Sequence, residues 1–170
     1  VTGAGSQWNN TGGVDADDNV IEGNLYIGYD GNGALNIENG GLVTNADDGY
    51  IGYNAGSTGT ATVTGGGSQW HSTGDLYVGF NGAGKLNVAD GGNVTVGGNI
   101  TIGTDGAVNL YVSGDGADTL LSAGGTLNSS VGSIYLYAEA ALAASTYTPI
   151  SAGTYNDAAD HYVGVGGTWD

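Results

Sequence analysis

The chain has 170 residues, with 17 Asp and Glu against one basic residue, Lys85, and a formal charge of −16 at pH 7. That charge repels phosphate backbones and anionic lipid heads, which excludes nucleic acid as a partner, and no apolar run reaches the roughly 18 residues that would predict membrane insertion. Cysteine is absent, so disulfides and thiolate metal sites are excluded, and 36 Gly beside a single Pro rule out a collagen-like chain.

The first phrase, "VTGAGSQW" at 1–8, returns as "VTGGGSQW" at 63–70, with a weaker echo in "VGGTWD" at 165–170. It is followed by the acidic stretch "DADDN" at 15–19, where Asp15, Asp17 and Asp18 offer oxygen ligands of the kind calcium favours. The stretch matches no EF-hand pattern, and a solvated loop is the other reading. "SGDGAD" at 113–118 has the same character.

"GNLYIGYDGNG" at 23–33 opens the main repeat. It recurs as "DGYIGYNAG" (47–55), "GDLYVGFNGAG" (74–84) and "GNITIGTDG" (98–106). The copies align on Ile27, Ile51, Val78 and Ile102, in steps of 24, 27 and 24 residues. A looser copy, "SIYLYAE", puts Leu136 in the same column after a step of 34. Between the copies runs a second phrase, "GALNIENGGLV" (33–43), echoed at 59–70, 84–94 and 107–114. Apolar residues alternate with polar ones around each anchor, as in Leu25-Tyr26-Ile27 and Leu86-Asn87-Val88, which predicts short strands with one buried face. Gly, Asn and Asp between them supply corners.

Three short strands per coil of about 24 residues predict an all-β parallel β-helix, a β-solenoid whose coils stack at about 4.8 Å. Regular coils are expected over 1–131, with less regular C-terminal coils over 132–170 continuing the same solenoid. One coil cannot fold alone, because its few apolar side chains do not offset the entropy of ordering some two dozen backbones.

Stacking turns alignment columns into ladders. Asn24, Asp48, Asp75 and Asn99 form a corner column. Tyr26, Tyr50 and Tyr77 form an outward column, with Tyr135 as its expected later member. Gly28, Gly52, Gly79 and Gly103 mark a turn that a Cβ would obstruct. Tyr29, Tyr53 and Phe80 follow, then Asp30, Asn54, Asn81 and Asp105 as turn residues. The tyrosine column either shields its strand or presents a surface stacking and binding strip to sugar rings or a neighbouring filament.

No catalytic constellation is expected. A lyase needs a basic side chain beside bound calcium, and only Lys85 is available. A glycosidase needs two carboxylates at a defined separation, whereas the acids here sit in Gly- and Asn-rich corners. His71 and His161 are isolated. The expectation is a protein that is not an enzyme and has no cofactor, with a calcium ion at Asp15, Asp17 and Asp18 as the alternative to a solvated loop there.

The motifs G-S-x-W, L-x-I-G and G-x-L-x-I-x-x-G-G, in that order across residues 1 to about 112, resemble the repeat shared by bacterial autotransporter passengers and PEP-CTERM proteins. The tail at 136–170 is similar to the segment that follows such repeats in PEP-CTERM proteins. The resemblance implies secretion, a right-handed parallel β-helix and a role at the bacterial cell surface or in its matrix. It brings no catalytic residues.

The first functional reading is therefore an extracellular structural protein. Neither end shows a polar cap, so end-to-end self-association into a homo-oligomer or filament is expected. The alternative is an adhesin or a module binding extracellular polysaccharide through the tyrosines; a polysaccharide-degrading enzyme is the least supported.

Overall fold

Glycine-rich corners cut the chain into short strands, and each strand pairs in parallel with its counterpart one coil later. The computed structural model describes residues 1–112, 120–129, 131–138, 148–156 and 162–165. In chain order, β1 (Gln7–Asn10) precedes a small hairpin of β2 (Gly13–Val14) and β3 (Val20–Ile21). The first complete coil is β4 (Leu25–Ile27), β5 (Asn32–Glu38) and β6 (Leu42–Asn45). The second is β7 (Gly49–Ile51), β8 (Thr58–Thr64) and β9 (Gln69–Ser72); the third is β10 (Leu76–Val78), β11 (Ala83–Ala89) and β12 (Asn93–Val96). The fourth begins with β13 (Ile100–Ile102) and β14 (Gly106–Val112). Then come β15 (Leu121–Asn128), β16 (Ser133–Ala138), β17 (Ile150–Asn156) and β18 (Tyr162–Val165).

The result is a β-solenoid of three faces. The first face stacks β4, β7, β10 and β13; the second stacks β5, β8, β11, β14, β16 and β18; the third stacks β1, β6, β9 and β12. β15 is long enough to run round a corner. Its first half pairs with β12 on the third face and its second half with β13 on the first face, and this joins the two faces into one sheet. Gly124 and Gly125 form the bend, where the pairing with β17 slips register.

Side chains of like parity fill the interior. The second face contributes Leu35, Ala61, Leu86, Val108 and Ile134 in one column and Ile37, Val63, Val88 and Leu110 in the next. Val43, Trp70, Val94 and Leu121 line the third face. These side chains are at most 8 % exposed, so the core is one continuous apolar column rather than a stack of separate ones.

Two coils differ in a compensated way. On the first face, Gly49 stands where the neighbouring coils have Leu25 and Leu76. A Cβ on Gly49 would lie 3.0 Å from Leu76 Cδ1 and 3.1 Å from Trp70 Cζ2. The indole of Trp70 therefore occupies the room that a leucine fills elsewhere. Trp8 sits in the same inward column, opposite Val43, yet is 45 % exposed because β1 has a neighbouring strand on one side only. The repeated phrase "GSQW" thus places one tryptophan inside a coil and the other at an open edge.

The glycine column has a double origin. Gly28, Gly52 and Gly79 have φ of +77°, +75° and +76°, which favours glycine outright. Gly103 is not left-handed, but a Cβ there would run into the carbonyl oxygen of Gly79. A second column, Gly33, Gly59, Gly84 and Gly106, faces the first across the corner. A Cβ on Gly84 would lie 2.1 Å from Gly79 N and 2.4 Å from Ile51 O. Backbone packs directly on backbone at this corner.

One ladder assignment is corrected. Tyr135 lies in β16 on the second face, opposite Asn109, and not in the tyrosine column of the first face. The position after Thr101 in that column is taken by Asn128. The 34-residue step to "SIYLYAE" spans more than one coil, so counting from the anchor lands on the wrong face.

Candidate functional site

The most distinctive surface is the aromatic array on the first face. Tyr26, Tyr50 and Tyr77 are register partners in β4, β7 and β10. Their rings stack with centroids 5.0 Å apart and planes within 7°. Tyr29, Tyr53 and Phe80 form a parallel stack with centroids at 4.9 and 5.3 Å. The two stacks meet edge to face: Tyr26 on Tyr29 at 83°, Tyr50 on Tyr53 at 89° and Tyr77 on Phe80 at 74°.

Local backbone explains this herringbone. In an unbroken strand, Tyr26 and Tyr29 would point to opposite faces. The left-handed Gly28 between them turns the chain, so both rings emerge outside. The coil-to-coil hydrogen bonds continue past the bend, with Tyr53 N donating to Gly28 O at 2.9 Å and Phe80 N to Gly52 O at 3.1 Å. That holds the second column at the coil spacing. Offset and edge-to-face pairs contribute about 0.5–1.5 kcal/mol each beyond area burial. The array ends in the fourth coil, where Thr101 and Thr104 occupy the same places. Tyr26, Tyr29 and Phe80 remain exposed, while Tyr50, Tyr53 and Tyr77 are half-buried.

A polar ladder runs beside the rings. Asn24 Oδ1 accepts from Asp48 N at 2.9 Å, Asp48 Oδ1 from Asp75 N at 2.7 Å, Asp75 Oδ1 from Asn99 N at 2.7 Å, and Asn99 Oδ1 from Thr126 N at 2.9 Å. Each side-chain oxygen thus serves the backbone of the next coil. The second carboxylate oxygens take the phenols: Tyr50 Oη–H donates to Asp48 Oδ2 at 3.0 Å and Tyr77 Oη–H to Asp75 Oδ2 at 3.2 Å. At the outer corner, Asn54 Nδ2 donates to Asp30 Oδ1, and the Asn54 and Asn81 backbones bond to Tyr29 and Tyr53.

This environment shifts the phenols. Burial in the stack pushes Tyr50 well above the ordinary tyrosine range, reinforced by its bond to Asp48 and that carboxylate's charge. Burial also raises Tyr77, together with the charge of Asp75. Tyr26 rises through burial, offset in part by the hydrogen bond from Asn24. A folded value above the unfolded one of about 10 gives stabilisation that is complete below that pH. It is lost as pH climbs through the folded values. The melting temperature is therefore expected to hold steady to about pH 9 and then to fall. A variant carrying Tyr26→Phe, Tyr50→Phe and Tyr77→Phe should lose less stability across the alkaline limb in calorimetric scans. Identical limbs for variant and parent would refute the ladder's part in it.

The acidic stretch is the tip of the β2–β3 hairpin, the one antiparallel pair among the described strands. Asp15 Oδ1 accepts from the backbones of Asp17 and Asn19, both at 2.9 Å, and Oδ2 from Asn19 Nδ2 at 3.0 Å. The side-chain bond from Asn19, followed by the two backbone bonds, holds the Asp15 carboxyl below its ordinary value. Asp18 takes φ +59° to close the turn. Asp15, Asp17 and Asp18 do not converge as a three-carboxylate cluster; among the described residues no such metal-holding group occurs. The second acidic stretch, 113–118, lies outside the described residues.

Sequence reasoning missed a buried polar network on the third face. Asn45 and Ser72 occupy inward positions in register. Trp70 Nε1 donates to Asn45 Oδ1 at 2.9 Å, and Asn45 Nδ2 donates to Ser72 Oγ at 2.8 Å and to Asp47 O at 2.6 Å. Ser72 Oγ donates to Asp47 O at 3.0 Å. The signal was present in "LVTN" and "QWHS", where Asn45 and Ser72 share the parity of Val43 and Trp70. Ser68 of the G-S-x-W motif is likewise a staple: its hydroxyl donates to Thr64 O at 2.7 Å and accepts from Gly40 N at 3.0 Å.

Comparison with known proteins finds a segment similar to part of this chain in the uncharacterized lipoprotein YdeK of Escherichia coli (strain K12). The two are 39% identical over 84 residues, 46% of this chain and 6% of that protein. The chain thus spans only a small part of the relative it matches. No family model matches the chain, and no solved structure matches it.

Proposed function

We propose that this chain is a structural, non-catalytic β-solenoid segment of a bacterial cell-surface or matrix protein of the autotransporter or PEP-CTERM kind, able to extend by stacking further coils end to end. The observation that carries this reading is the ladder from Asn24 to Thr126, in which every coil presents acceptors to the next in one unvarying direction. Such a device adds stability with each coil and has no natural stopping point. β4 and the first half of β5 have a neighbouring strand on one side only, while Glu38 at the far end of β5 is bridged to Thr2, so these outer edges can take another coil of a longer chain or of a second copy. The resemblance to a lipoprotein segment favours the cell envelope, which we narrow to the outer surface.

Self-association is tested by light scattering and negative-stain microscopy of the purified chain from micromolar to near-millimolar concentration. Rods that lengthen with concentration are expected, and more so at high salt, which screens the −16 charge. A monomer under all these conditions would sink the end-to-end reading.

A second reading, an adhesive or polysaccharide-binding module, draws on the exposure of Tyr26, Tyr29 and Phe80 along one ridge. Glycan-array binding lost on Tyr26→Ala, Tyr50→Ala and Tyr77→Ala would favour it.

A further inference from the structure

The outer surface of the second face carries a different feature, an open depression of about 690 Å³. Three outward columns form it. Thr62, Asn87 and Asn109 run up its middle in register. Asn109 Nδ2 donates to Asn87 Oδ1 at 2.7 Å, and Asn87 Nδ2 to Thr62 Oγ1 at 3.3 Å. Lys85, the sole basic side chain, stands exposed along one side. On the other side Tyr111 and Tyr137 are register partners, their rings stacked at 4.6 Å and 11°. Tyr135 closes the upper end.

The tyrosine pair is asymmetric. Tyr137 covers one face of the Tyr111 ring. In the coil below, the same column holds Ala89, which follows the Val88 paired with Leu110. A methyl group there leaves the lower face of the Tyr111 ring without a stacking partner among the described residues. On the first face the rings stack through three coils and lack a stacked ring only at the ends of the array, as where Thr101 follows Tyr77; here the ring face left without one borders the amide row. An uncovered aromatic face beside a row of amides and hydroxyls suits a ligand with apolar ring faces and hydroxylated edges. The volume falls within the range of small-molecule sites, roughly 300–1,000 Å³.

We propose that this depression binds a neutral polysaccharide chain, one sugar ring stacking on the open face of Tyr111 while Thr62, Asn87 and Lys85 hydrogen-bond its hydroxyls and the buried Asn109 holds Asn87 in place. The coil spacing of about 4.8 Å repeats the donors and acceptors along the chain direction. The net charge of −16 selects against polyanionic glycans, and one lysine does not reverse that field. The site is independent of end-to-end stacking and lies on a different face from the Tyr26–Tyr50–Tyr77 array.

The test is NMR titration of the whole chain with neutral oligosaccharides of β-linked glucose, mannose or N-acetylglucosamine, and with oligogalacturonate. Saturable shifts at Asn87, Asn109 and Tyr111 are expected with at least one neutral sugar. Tyr111→Ala should weaken that binding about tenfold or more, as truncating a central aromatic contact does. Ala89→Tyr adds a ring to the stack and covers the open face, so it should abolish binding with melting temperature kept or raised; that variant separates loss of the site from loss of the fold. The proposal is overturned if no neutral sugar binds, if oligogalacturonate alone binds, or if binding survives Ala89→Tyr but disappears with Tyr50→Ala.

Discussion

Replacing Gly84 by alanine is expected to lower unfolding stability by at least about 3 kcal/mol, the upper end of the usual cost of overpacking. The added Cβ would sit 2.1 Å from Gly79 N and 2.4 Å from Ile51 O. Both are backbone atoms of the corner, so no side chain can swing aside. Relief requires the first and second faces to part, which breaks the β8–β11 and β11–β14 ladders on which adjacent coils depend. Because coil stability is collective, the damage spreads to both neighbours. Gly66 supplies the control: a Cβ there meets nothing within 4 Å and its φ is not positive. Gly66→Ala should be neutral or stabilising by up to about 1 kcal/mol, through the unfolded chain. Denaturant unfolding of the two variants decides the matter, and equal midpoints would show that the corner is not close-packed.

Trp70→Ala should cost about 3–5 kcal/mol, as for other large-to-small changes at fully buried positions. It empties the largest volume in the core and leaves Asn45 Oδ1 without its indole donor. The coupling with Gly49 makes the sharper prediction. Gly49→Leu alone should destabilise, since its first carbon already lies 3.1 Å from the indole. Combined with Trp70→Val, it recreates the Leu and Val pairing of the third coil, Leu76 with Val94. The double variant should be more stable than the sum of the two single changes predicts, by about 1–3 kcal/mol. Full recovery is not expected, because the Asn45 bond is still missing. Strict additivity in urea titrations would show that Gly49 and Trp70 do not share one space.

Both predictions rest on the same property of a solenoid. A residue in a coil is judged against the residue one coil away as much as against its own neighbours in sequence. Substitutions that look alike in the repeat alignment therefore differ in effect, as Trp8 and Trp70 show.

The sequence alone determined the coil. Its steps of 24, 27 and 24 residues set the stacking period, and the period-two alternation around Ile27, Ile37 and Val43 decided which side chains point inward. These are local properties, repeated until they leave one consistent arrangement. The outward direction of Tyr26, Tyr50 and Tyr77 follows from the same parity, and the glycine after each anchor announces the bend.

Only the tertiary structure decided what the columns do to one another. The edge-to-face contact of Tyr26 with Tyr29 depends on the left-handed Gly28, which reverses the parity that the strand pattern implies. The Asn24–Asp48–Asp75–Asn99 column bonds the next coil's backbone rather than its own, a choice made by the coil spacing. Asn45 was hidden in the core because a buried amide looks like a corner amide until its partners, Trp70 and Ser72, are brought in from the next coil. Tyr135 fell on another face because an irregular connection destroys the count that regular coils preserve. Periodicity specifies position only while the period holds; where it breaks, strand pairing across the coils assigns the face.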